Sequence, residues 1–98
     1  MQPYTLLMIS DALPGADLIR RGLDDLAAGR DSVEALLVLI GAPRLRRLGI
    51  EVPEGHQGSP ELQLYERLAA SDPASAHSRY NAYIRRLVSF ERAAECAR

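Results

Sequence analysis

Residues Ala35 to Ile40 read Ala-Leu-Leu-Val-Leu-Ile, an unbroken apolar run bounded by polar and chain-breaking residues. A run this short cannot cross a bilayer, which needs about 20 apolar residues. It must therefore be buried inside protein, as a helix hidden on all sides or as a central strand. The flanks favour helix. Asp31-Ser32-Val33-Glu34 resembles a capping box, with Asp31 at the N-cap and Glu34 three positions on. Gly41-Ala42-Pro43 supplies the stop. This second helix, about 31–41, is expected to be the most buried element of the chain.

The neighbouring segments supply helices with one apolar flank each. From Pro14 to Ala28, Leu18, Ile19, Gly22, Leu23 and Leu26 share one face at 100° per residue. Arg20, Arg21, Asp24 and Asp25 fall opposite, in two i,i+4 pairs. Gly22 interrupts the stripe. Glycine costs a helix about 1 kcal/mol relative to alanine, so its presence there points to a close-packed neighbour. Gly29 suits a helix C-terminus.

Pro43 to Leu48 reads as a short helical turn, 43–48, closed by Gly49. Pro53, Gly55 and Gly58 mark a surface loop. Ser59-Pro60 is an N-cap followed by a first-turn proline, opening a helix over 60–71 with Leu62, Tyr65, Leu68 and Ala69 inward. Asp72-Pro73 repeats the signal for a long amphipathic helix over 73–97, with the stripe Ala76, Tyr80, Tyr83, Ile84, Leu87, Val88, Phe90 and Ala94. Residues 3–12 are left open between a short helix and an extended arm. The fold class is all-α: one domain over 1–98, a compact bundle of four main helices (about 14–28, 31–41, 60–71 and 73–97).

Composition narrows the function without naming it. The formal net charge is −1 at pH 7, which gives no global attraction to nucleic acid or an anionic membrane. All twelve basic residues are Arg, a bias expected of a GC-rich bacterial genome. The single Cys96 cannot form an internal disulfide, and no signal-peptide pattern opens the sequence. A cytoplasmic protein is expected.

No catalytic motif or metal-ligand spacing stands out. On one helix His77 and Cys96 would lie about 28 Å apart, too far for a dyad. Two His and one Cys without metal-like spacing imply no zinc site, and no cofactor is expected. Two clusters remain as candidates. His77, Asn81 and Arg85 stack at i, i+4 and i+8, with Arg79 and Arg86 on the other flank; such a row can bind a carboxylate or phosphate, or a partner. Arg44, Arg46 and Arg47 form a basic patch. Glu91 falls inside the apolar stripe: either that turn is buried and Glu91 needs a partner from Arg44, Arg46 or Arg47, or the stripe has left the core by residue 91 and Glu91 is exposed.

The leading expectation is a small protein–protein interaction module, homodimeric or bound to another protein. A nucleic-acid-binding regulator using Arg44 to Arg47 and the Arg residues of the last helix is the alternative, disfavoured by the charge. A ligand or catalytic site near His77, Asn81 and Arg85 comes third, and an enzyme is the lesser expectation.

Overall fold

Four helices account for most of the chain in a computed structural model that describes residues 10–97. They are α1 (Ala16–Ala27), α2 (Val33–Arg47), α3 (Pro60–Ser71) and α4 (Ala76–Cys96). No strand occurs among the described residues, so the all-α expectation holds. The part of the open 3–12 segment before Ser10 lies outside the described residues.

α2 is the axis of the molecule and packs against each of the other three helices. Leu36, Leu37, Val38, Ala42 and Leu45 are buried, as expected of a helix with no polar face. The bundle closes around Phe90, Ile19, Leu37, Leu45, Leu64 and Leu68, all essentially without solvent contact.

The α1–α2 hairpin depends on Gly22. A Cβ there would lie 2.5 Å from Val38 Cγ2 and 2.9 Å from the Glu34 carbonyl carbon. The missing side chain lets two helix backbones meet, which is the close neighbour the sequence implied. The turn between the helices is a Schellman motif: Gly29, at φ 73°, donates to the Leu26 carbonyl (3.2 Å) and Arg30 to the Asp25 carbonyl (2.7 Å). Arg30 Nε also meets Asp25 Oδ1 at 3.0 Å. An ion pair thus stands where this motif usually has an apolar contact.

Several boundaries differ from the sequence expectation. Ser32, not Asp31, caps α2: its Oγ accepts from Ala35 N at 3.0 Å and donates to Asp25 Oδ2 at 2.6 Å. A carboxylate could not donate to Asp25, so the hydroxyl takes the cap. Asp31 instead reaches Arg67 on α3 at 2.7 Å. The expected stop at Gly41-Ala42-Pro43 and the separate turn at 43–48 are one continuous helix to Arg47. Pro43 is exposed, so the Leu39 carbonyl deprived of its donor faces the solvent side, while buried Leu37, Val38, Ala42 and Leu45 anchor both halves. A second Schellman turn, at Gly49 with φ 91°, ends α2.

α1 begins at Ala16, after Gly15 at φ 77°, instead of at Pro14. A Cβ on Gly15 would come within 2.9 Å of the Arg86 carbonyl, so the entry to α1 is pressed against α4. The expected Arg20–Asp24 and Arg21–Asp25 pairs give way to Arg20–Asp11 (2.7 Å) and Arg21–Glu34 (3.7 Å). α4 starts at Ala76 because Asp72 closes a turn over 72–75, accepting from Ala74 N (3.2 Å) and Ser75 Oγ (2.8 Å). In α3, Leu64 and Leu68 face the core, whereas Leu62 and Tyr65, expected inward, are exposed. The Tyr65 ring leans on Tyr80 of α4, centroids 5.9 Å apart.

Gly22→Ala tests the hairpin. Alanine favours an isolated helix, yet overpacking here should lower stability by about 1–3 kcal/mol, read as a reduced urea midpoint. Ser32→Ala should cost about 1 kcal/mol by loss of the cap.

Candidate functional site

The clearest concave surface is a cleft of about 490 Å³ between the end of α1, the start of α2, the long loop and α3. Its floor is apolar, from Leu26, Ala35, Leu36 and Leu39. Its rim is polar: Arg30, Asp31, His56, Gln63, Glu66 and Arg67. Leu26 and Leu39 remain half-buried, so apolar surface is left facing the opening.

The rim is held by local bonds. Arg67 reaches across to α2 with Nη1 on Asp31 Oδ2 (2.7 Å) and Nη2 on the Asp31 carbonyl (3.2 Å). His56 Nε2 meets Gln63 Oε1 at 2.6 Å, and Gln63 Nε2 donates to the Gln57 carbonyl at 3.2 Å. Those two bonds pin the loop over the start of α3. The described lining residues carry no hydroxyl or thiol nucleophile. The arrangement suits binding by shape and polarity.

None of the candidates His77, Arg79, Asn81, Arg85 and Arg86 lines this cleft. They lie along α4. His77 Nε2 and Asn81 Nδ2 are 3.3 Å apart on an exposed flank, so that part of the expected row forms. Arg85 is exposed one turn further on. Arg86 reaches Asp17 of α1 at 3.4 Å.

The expected basic patch is drawn into intramolecular bonds. Arg44 binds Glu95 (2.5 Å) and Glu91 (3.6 Å) on α4. Arg46 donates to the Val52 carbonyl from Nε (3.2 Å) and Nη2 (3.0 Å), and to the Pro53 carbonyl (3.1 Å). Arg47 adds positive potential at Glu91.

Glu91 is buried, 5% exposed, at the crossing of α2 and α4, and its partner is Arg44, one of the three Arg the sequence named. Burial raises its pKa above the usual carboxylate value, opposed by Arg44 and Arg47 and reinforced by Glu95. Asp25 is shifted the other way, held low by hydrogen bonds from Ser32 and Arg30.

Among the described residues no group of His, Cys, Asp and Glu could hold a metal ion, and no helix is long and apolar enough to cross a membrane. No family model, no curated protein and no solved structure matches the chain.

The two shifted carboxylates predict opposite pH effects. A raised native pKa means the folded state holds the Glu91 proton more tightly than the unfolded chain does. Folding is therefore favoured as pH falls through the interval from the native value toward 4.5, and disfavoured as it rises. For Asp25, stability is present above 3.8 and lost as pH falls through its lowered native value. Urea unfolding from neutral pH to about pH 3 should show the Glu91→Gln variant gaining relative to wild type as pH rises. A pH-independent difference would assign Glu91 an ordinary pKa.

Proposed function

We propose that this chain is a small helical protein–protein interaction module that works as a homodimer. One observation carries the reading: α3 presents Leu62, 58% exposed, one helical turn from the rim of a cleft in which Leu26 and Leu39 are only half-buried. Tyr65, 38% exposed, extends the apolar surface of the same helix. A domain of 98 residues has a small core, and surface of this kind is stabilised by covering it.

The nucleic-acid alternative draws less support from the geometry. It draws on Arg44 to Arg47 and the Arg residues of the last helix, and of these Arg44, Arg46 and Arg86 are engaged within the chain. A ligand site at His77, Asn81 and Arg85 would need a concavity, and the cleft lies elsewhere.

Sedimentation equilibrium should show the mass rising from the 10.8 kDa monomer toward twice that value between about 1 µM and about 1 mM. A mass of 10.8 kDa across that range would overturn the homodimer.

A further inference from the structure

The homodimer reading leaves open how two copies meet, and α3 supplies both halves of an answer. Leu62 and Glu66 are i,i+4 neighbours on its surface. Glu66 and Gln63 belong to the cleft rim, so the most exposed large apolar side chain among the described residues stands one turn from a rim that encloses half-buried Leu26 and Leu39. An anchor and a socket side by side on one element form a self-complementary patch, the requirement for a twofold interface in which each copy gives what it receives.

We infer that two copies pair through α3 about a twofold axis, with Leu62 of each protomer seated against half-buried Leu26 and Leu39 in the other's cleft. This rests on the homodimer proposed above.

Three features fit this occupant. The cleft, about 490 Å³, has room for a leucine side chain. Leu26 and Leu39 are half-buried in the single chain and would be closed from water by the inserted side chain. The rim is also complementary in charge. Glu66 is exposed and makes no ion pair among the described residues. Across the same cleft, Arg30 holds Asp25 through Nε, which leaves its terminal nitrogens to meet Glu66 of the second copy. Exposed carboxylate and guanidinium groups at the edge of an apolar contact set register more than affinity.

The test uses the full chain with Cys96→Ser, so that introduced cysteines are the only thiols. Leu62→Cys and Leu39→Cys variants are mixed and oxidised with diamide. The mixed Leu62→Cys/Leu39→Cys disulfide should form in preference to either symmetric product. In sedimentation, Leu62→Asp should weaken dimerisation at least about tenfold, and Glu66→Arg should weaken it in the same direction. Leu62 and Glu66 are exposed, and circular dichroism should show both variants as helical as wild type. A wild-type dimer unaffected by Leu62→Asp, or one giving no mixed disulfide, would overturn this interface and leave the homodimer standing. A wild-type protein that stays monomeric would overturn both.

Discussion

The architecture depends on how closely helix backbones approach α2, and two glycines set that distance. Gly22 admits Glu34 and Val38 on one side. Gly41 meets α4 on another, where a Cβ would lie 2.8 Å from Leu87 Cδ1 and 3.0 Å from Glu91 Oε2. With these contacts short, a core of modest side chains fills the space, and among the described residues Phe90 is the one aromatic ring fully inside. A side chain at Gly22 would push α1 and α2 apart and open voids beside Val38, whereas one at Gly41 would displace the ends of the Leu87 and Glu91 side chains.

The second crossing also explains why a carboxylate is tolerated in the interior. Glu91 lies where Gly41 leaves room, and the guanidinium of Arg44 comes from one turn further along α2. The pair ties α2 to α4 in a single register, since sliding either helix by a turn would strand a buried charge. Arg44 holds Glu95 as well, which a forked guanidinium can do and a single ammonium does less well.

Much of this was legible in the residue pattern. The burial of the apolar run in α2, the small-residue contact at Gly22, the Gly29 terminus and the Ser59-Pro60 start follow from local chemistry, whereas the place of Glu91 in an apolar stripe named its candidate partners but left its burial open until the α2–α4 crossing decided it. What escaped the sequence depended on tertiary neighbours. Ser32 displaced Asp31 as the cap because Asp25 stood opposite. Pro43 failed to end α2 because burial on both sides of it outweighed one lost hydrogen bond. Leu62 and Leu64 are both compatible with a helical stripe, and only the packing of α3 on α2 and α4 decides which turns inward. The cleft drew on four separate segments, so no single stretch announced it, although the half-covered Leu39 of an all-apolar helix was a trace of it.

The long connection from Leu48 to Ser59 joins two parts with different entropic demands. α1 and α2 meet across a turn of a few residues, so their contacts close a short loop, whereas docking α3 requires ordering a much longer one. Arg46 offsets part of that demand by gathering the Val52 and Pro53 carbonyls onto the end of α2, alongside buried Ile50 and Val52. On loop-closure entropy alone, the first hairpin is expected to form before α3 docks and the Arg46 clasp to close after it. In that order of events, changes at Gly22 should be felt in the refolding rate, and changes at Arg46 in the lifetime of the native state.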